Sequence, residues 1–394
     1  MREIQGPLNG LKILDFSTLL PGPYASMLLA DMGATVLRIE SPTRPDLLRN
    51  LPPMVGAVSA AHATINRNKK SLALNLKAPR ATEIVRRLLS EYDIVLAQFR
   101  PGVMAKLGLD YTALQQVRED LIYCSISGYG HSGPLRARAG HDINYLALSG
   151  LASYSGRRDG GPSLSGTQVA DIAGGAHHAV MGILAAVYRR QCTGRGGHID
   201  LSITDCAFAL NAICGANALA GAGEPKLEQE LLNGGSHYDY YATADGRHLA
   251  VGGLEPQFAE RFFQLLGHPD WQQRLLDPAQ QQPLKRDIAA VIVTRSLDDW
   301  LRDLASLDAC VEPVLTFSEA AQSDLIKERQ MLCQASLPGG GEQTQINTPL
   351  SFGSDKPLRH SAGVQPGANS GEILRTLGYS AEEIQQFQTQ GIIA

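Results

Sequence analysis

Short apolar strands alternate with amphipathic helices over the first third of the chain, and that order predicts an α/β fold on a parallel, doubly wound sheet. Two further observations sharpen the class. The first strand runs into Leu19-Leu20-Pro21-Gly22-Pro23 rather than a Gly-x-Gly-x-x-Gly turn. The sheet is therefore Rossmann-like without the fingerprint that lets a pyrophosphate approach the backbone, and no Walker loop occurs either. After a break of Gly, Glu, Pro and Lys at 221–226 the pattern changes character, which marks a smaller α+β domain.

In chain order, Leu11–Phe16 reads as a buried strand, Tyr24–Met32 as a helix that Gly33 caps, and Thr35–Glu40 as the second strand. Ser71–Leu76, Asp93–Phe99 and Leu121–Ser127 continue the series, with a helix starting at Pro79, a residue suited to a first helical position. Asp171–Arg190 reads as a long helix, closed by Gly194 and Gly196–Gly197 before the strand His198–Ile203, and Asp205–Ala220 as a second apolar helix. In the smaller domain the strand His248–Leu254 precedes helical Gln257–Leu266 and acidic, amphipathic stretches to about residue 325. Leu337-Pro-Gly-Gly-Gly-Glu342 reads as a linker and Ser370–Gln388 as a final amphipathic helical segment. The expected division is a large domain over 1–220, a small one over 226–330, and a linker with a return to the large domain over 331–394, without internal repeats.

Composition narrows the function. The 394 residues are 44% hydrophobic and 19% charged, an ordinary globular balance. Thirty-five basic against 39 acidic residues give −4, which argues against a strongly basic nucleic-acid face, and 6% aromatics argue against base-stacking surfaces. Cys124, Cys192, Cys206, Cys214, Cys310 and Cys333 form no Cys-x-x-Cys pair, so neither a zinc site nor a disulfide framework is expected. Met1–Gly10 has no apolar h-region, and the apolar stretch around Ala179–Tyr188 reads as too short to span a bilayer. The terminal Gly-Ile-Ile-Ala matches no peroxisomal or lipidation signal. A soluble cytoplasmic protein with a small-molecule substrate is expected, with no nucleic-acid, membrane or metal partner.

Three places carry residues suited to chemistry. In Gly140-His141-Asp142-Ile143-Asn144-Tyr145, Asp142 is a good N-cap for a helix beginning at Ile143, whereas His141 has no capping task. Asp171 opens a helix, where the dipole would hold its pKa down, and Gly174–Gly175 suggest close approach of a ligand to the backbone. Glu255 ends a strand before Pro256 and either caps the next helix or aims a carboxylate into a cleft.

The chain resembles the class III CoA-transferase (CaiB/BaiF) superfamily. The match runs from Gly6-Pro-Leu-Asn-Gly-Leu-Lys-Ile-Leu-Asp-Phe16 and Leu29-Ala-Asp-Met-Gly-Ala-Thr-Val-Leu-Arg-Ile-Glu40 through Asn66–Lys77, Arg100-Pro-Gly-Val103 and Gly128-Tyr-Gly-His-Ser-Gly-Pro134 to Gly371–Ser380. Within that superfamily, carboxylate-to-carboxylate transferases use an aspartate matching Asp171 as nucleophile. The branch of α-methylacyl-CoA racemases keeps it and adds the His of Gly-His-Asp-Ile-Asn-Tyr and the Glu of Glu-Pro-Gln-Phe, here His141 and Glu255. The resemblance thus implies α-proton exchange at a 2-methylacyl-CoA through an enolate. One base cannot easily serve both faces of a stereocentre, so His141, supported by Glu255, would act on one and Asp171 on the other. Backbone N–H groups at the Asp171 helix start would stabilise the enolate. Asp142 and Tyr238 join the implied catalytic set.

Coenzyme A would enter as part of the substrate, with no separate cofactor. By family position its contacts are Leu74, Asn75, Leu76, Lys77, Gln98, Phe99, Arg100, Lys106, Gly133, Pro134, Leu135, Arg136, Ala137 and Arg138. One departure is Ser41, where many relatives carry Arg; Arg44 lies nearby. The resemblance also implies an interlocked homodimer in which Glu255 would meet His141 across the dimer. Two other readings stay open: a CoA-transferase in which Asp171 forms a mixed anhydride, and a CoA-binding protein without catalysis.

Overall fold

Six parallel strands carry the larger unit of the computed structural model, which describes residues 6–353 and 356–394; the first five residues of the Met1–Gly10 reading lie outside the described residues. The strands are β1 (Lys12–Phe16), β2 (Thr35–Glu40), β3 (Lys69–Ala73), β4 (Ile94–Ala97), β5 (Ile122–Ser127) and β6 (Gly197–Ser202), in the order β6-β5-β4-β1-β2-β3. Register sets Leu14 between Leu37 and Val95. The chain runs outward to β3 on one side of β1 and to β6 on the other. The direction reverses between β1 and β4, and the carboxyl ends of strands at such a switch point form a ligand-binding crevice. All of β4 and β5 is buried, as a parallel sheet covered on both faces requires.

Helix α1 (Pro21–Asp31) follows β1, with Gly33 at φ 101 just beyond its end. One core joins Leu14, Leu37, Leu72, Val95 and Tyr123 to Leu374, Phe387, Ile392 and Ile393. The larger unit comprises Met1–Leu146, Thr167–Ala209 and Ser323–Ala394; the smaller comprises Ala147–Gly166 and Leu210–Gln322. In the smaller unit β7 (Asp239–Ala242), β8 (His248–Val251) and β9 (Val311–Pro313) pair antiparallel in that order. Trp300, Phe262, Phe263, Leu284 and Ile288 fill its core, and the Trp300 indole N–H donates to the Ile292 carbonyl at 2.9 Å.

Four sequence expectations change. Leu337–Glu342 is a hairpin turn and not a linker: it joins the antiparallel strands Leu332–Ser336 and Glu342–Ile346, with Gly339, Gly340 and Gly341 all at positive φ. The apolar stretch around Ala179–Tyr188 belongs to a continuous 24-residue helix, Ala170–Thr193, long and apolar enough by length and composition to cross a bilayer; half of its apolar window is buried within the fold. Arg190 near its end pairs with Asp93 at 2.8 Å. The apolar helix expected over Asp205–Ala220 breaks into Ile203–Ala209 and Cys214–Asn217. The last segment is two helices, Ser370–Thr376 and Ala381–Thr389, separated at Gly378 (φ 84) and restarted by a Ser380–Glu383 capping box.

Candidate active site

In the larger unit the helix Asp142–Leu148 begins at Asp142 itself. His141 precedes it, with its N–H donating to Asn144 Oδ1 at 3.0 Å and its carbonyl accepting from the Asn144 N–H at 2.8 Å. Asp142 is therefore not the N-cap that its local sequence suggests. Its Oδ1 instead accepts the backbone N–H of Asp171 at 2.9 Å, across 29 residues. The His141 ring is exposed and engages no hydrogen-bond partner among the described residues.

Asp171 lies in a π-helical turn, Ala170–Ala176, that widens into the helix His177–Thr193. Such turns concentrate at functional sites. Burial first, and the Asp142 charge second, push its carboxyl up to about 7. This corrects the expectation of a depressed value. Burial outweighs the helix dipole here, and the Asp171 N–H itself is bonded to the Asp142 carboxylate. Packing accounts for Gly175 but not for Gly174. A Cβ on Gly175 would lie 3.2 Å from Pro21 Cβ and 3.3 Å from Ile203 Cγ1, while one on Gly174 would meet only ordinary contacts.

Tyr145 ties the two motifs of this site together. Its hydroxyl donates to the Gly140 carbonyl at 2.6 Å, and its ring meets Tyr129 edge-on with centroids 5.4 Å apart. A Cβ on Gly128 would fall 2.7 Å from the Tyr145 ring, and one on Gly140 would fall 2.5 Å from the Tyr129 hydroxyl. Burial pushes Tyr145 up to about 12, with Asp171 adding to the shift and Arg100 pulling against it. Arg100 is thus within electrostatic reach of the site.

Tyr238 and Glu255 both lie in the smaller unit. Glu255 occupies the N-cap position of Pro256–Leu265, yet its side chain makes no capping bond and is exposed. The strand before it stops at Val251, not Leu254, and Gly252–Leu254 form a tight turn through Leu254 N–H to Gly252 O at 2.9 Å. Tyr238 lies 3.5 Å from the place a Gly252 Cβ would occupy.

The residues matched to coenzyme A contacts fall into two groups. Leu74 is buried against Ile393, Asn75 donates its N–H to Ile392 O at 2.8 Å, and Leu76 packs on the core. Gln98 Oε1 accepts the Gly22 N–H at 2.9 Å and so holds the turn from β1 into α1. These polar groups are already engaged. By contrast Lys77, Arg100, Lys106, Arg136 and Arg138 are exposed, and no ion pair engages them among the described residues. Gly133, at φ +84, Pro134 and Ala137 are also exposed, while Leu135 is half-buried. Phe99 and Arg100 line a cavity of about 170 Å³ with Met104, Tyr111, Ser125 and His131.

Two features had no sequence reading. His131 and His198 both line that cavity, with His198 Nε2 2.8 Å from Ser125 Oγ; only the presence of His131 in Gly128–Pro134 hinted at it. Beneath the β1–α1 turn, Asp15, Arg38, Asp46, His62 and Lys69 form a buried polar set. Leu19 there stands at φ 62, with its N–H bonded to Asp46, and Lys69 Nζ donates to Pro23 O at 2.8 Å. Strained non-glycine backbone of this kind persists only where neighbours over-determine it. No cluster of three or more His, Cys, Asp or Glu suited to a metal occurs among the described residues.

A profile of CoA-transferase family III matches residues 8–370. The alpha-methylacyl-CoA racemase of Homo sapiens is 36% identical over 391 residues, covering 98% of this chain and 97% of that protein. The succinate–glutarate CoA-transferase of Agrobacterium fabrum is 33% identical over 399 residues, covering 97% and 98%. Among solved structures, a CaiB/BaiF family protein from Brucella suis superposes with a TM-score of 0.81 at 28% identity, covering 95% of this chain and 100% of that one.

Proposed function

The chain belongs to CoA-transferase family III, an enzyme family with racemase and transferase members, and we propose that this one inverts the 2-methyl stereocentre of an acyl-CoA thioester. The observation that carries the reading is an unengaged His141 ring beside Asp142, whose carboxylate accepts the Asp171 N–H, with burial raising the Asp171 carboxyl to about 7. Proton transfer is most efficient when the catalytic pKa lies near the working pH. Asp171 at about 7 can take the α-proton in one direction and return it in the other. His141 performs the complementary step on the opposite face, and the enolate between them carries no proton on the α-carbon. Glu255, a carboxylate that no capping bond consumes, is the third group the racemase reading calls for. The unpaired cations Lys77, Arg100, Lys106, Arg136 and Arg138 are suited to the phosphates of coenzyme A.

The second reading is a transferase in which Asp171 attacks the thioester carbonyl and forms a mixed anhydride. The likeness to a transferase over almost the whole chain favours it. A transferase has no use for His141, which weighs against it.

One enantiomer of 2-methyldecanoyl-CoA in deuterated water, followed by NMR at the α-position, separates the two. Deuterium incorporation with loss of chirality is expected, together with a loss of about a hundredfold or more in His141→Ala. Absence of exchange, with a new thioester on adding succinate and full transfer activity in His141→Ala, overturns the racemase reading.

A further inference from the structure

The proposed reaction makes no use of His237, yet this side chain is among the most buried polar groups of the smaller unit, at 1% exposure. Its Nε2 lies 2.9 Å from the Gly253 carbonyl oxygen. A carbonyl only accepts, so Nε2 carries the hydrogen. Nδ1 is buried with no hydrogen-bond partner among the described residues, and a second proton there would create an unpaired buried charge. Burial accordingly lowers the pKa of the ring. The imidazole is therefore a neutral donor of fixed tautomer. It is locked in place by the Tyr241 hydroxyl, which donates to the His237 carbonyl at 2.8 Å, and by the Phe263 ring, centroids 6.0 Å apart.

The acceptor is equally well placed. Gly253 is the middle residue of the turn closed by Leu254 N–H to Gly252 O. A Cβ on Gly253 would fall 2.7 Å from the Ala309 carbonyl, so the turn is pressed against that backbone. Gly252 is anchored by its N–H to Cys310 O at 2.9 Å and lies beneath the Tyr238 ring. Tyr238 follows His237 directly, and Glu255 is two residues beyond Gly253. One hydrogen bond thus joins the two segments that carry both groups.

We propose that His237 is a positioning residue, whose Nε2–H bond to Gly253 fixes the Gly252–Glu255 turn against Tyr238 and so holds the Glu255 carboxylate in one place. The inference rests on the reading of Glu255 as part of the reaction. His237 touches no reacting atom and acts through Glu255.

The test compares α-proton exchange in His237→Phe, which keeps the ring and loses the donor, and His237→Gln, which keeps a donor. It adds Glu255→Gln and the His237→Phe, Glu255→Gln double variant. His237→Phe is expected to lower kcat about ten- to hundredfold with KM within twofold, since small misplacements at a reacting centre cost this much. His237→Gln should restore most of the loss, and the double variant should be no slower than Glu255→Gln alone. Wild-type kcat in His237→Phe while Glu255→Gln is slow overturns the inference, as do losses that multiply in the double variant. Wild-type exchange in Glu255→Gln shows instead that the underlying reading of Glu255 has failed. Should His237→Phe not fold, histidine nitrogen NMR on the wild-type protein decides, with His237→Gln for assignment: an Nε2–H tautomer is expected, and an Nδ1–H tautomer overturns the inference.

Discussion

The Asp142 carboxylate accepts the Asp171 backbone N–H, and its charge opposes ionisation of the Asp171 side chain. Asp142→Asn keeps an oxygen able to accept the Asp171 N–H while removing the charge. A two-base exchange needs one proton shared between His141 and Asp171, so its pH profile falls away where the pair holds two protons or none. The Asp142 charge favours protonated Asp171; without it, the Asp171 carboxyl ionises more readily. The limb near pH 7 should therefore move to lower pH in Asp142→Asn. The displacement should be less than the full elevation, because burial is the larger cause and remains. Exchange rates in deuterated buffers from pH 5 to 9 measure it, and a stationary or alkaline-shifted limb contradicts the assignment. At this scale His141, Asp142 and Asp171 were all visible in the sequence through their motifs. The partnership of Asp142 was not, because an Asp at a helix start reads as a cap whatever its carboxylate reaches from elsewhere in the chain.

Among the elements, the wide turn Ala170–Ala176 packs on Pro21 of α1 and on Ile203, and its two glycines have different work. Gly175→Ala would place a Cβ within 3.3 Å of both neighbours, and overpacking of this kind costs about 1–3 kcal/mol. The better helix propensity of Ala returns only about 1 kcal/mol. Gly175→Ala should therefore lower the denaturation midpoint, while Gly174→Ala, with its nearest neighbours at 3.5 and 3.6 Å, should leave it unchanged or raise it. Urea titrations of both variants read the contrast, and equal effects would remove the packing explanation. The central strand Ile94–Ala97 was legible because burial on both faces turns it into a continuous apolar run; Thr35–Glu40 is found as read. The Pro-Gly-Gly-Gly hairpin was not, since that composition suits both a flexible linker and a tight reversal. Only the pairing of Cys333 with Gln345 and Ala335 with Gln343 on either side distinguishes them.

On the scale of the whole molecule, residues 323–394 return to the larger unit after the excursion through the smaller one. Several bonds bind the return. Arg67 pairs in burial with Asp31 while donating to the Ile346 carbonyl at 2.6 Å, and Asn369 Oδ1 accepts the Ser71 N–H at 3.0 Å. The terminal Ile392–Ile393 segment lies along Leu74–Asn75. Such long-range pairing leaves no local periodicity to read, so the partners of the return were not visible in the sequence. Its energetic weight is large. Phe387, Ile392 and Ile393 are 1–3% exposed, and each buried side chain of this size contributes about 1.5–3 kcal/mol. Three together amount to roughly 5–9 kcal/mol, comparable with the whole stability of a typical domain. A chain ending at Gln386 should therefore be insoluble or unfolded at 37 °C. Gln388→Ala with Gln390→Ala, changing exposed residues of the same segment, should keep the wild-type thermal midpoint within about 1 °C. Soluble yield and circular dichroism decide it: a folded truncated chain would show that the sheet holds without its terminal cover, and a destabilised double variant would show that the segment acts through its polar face.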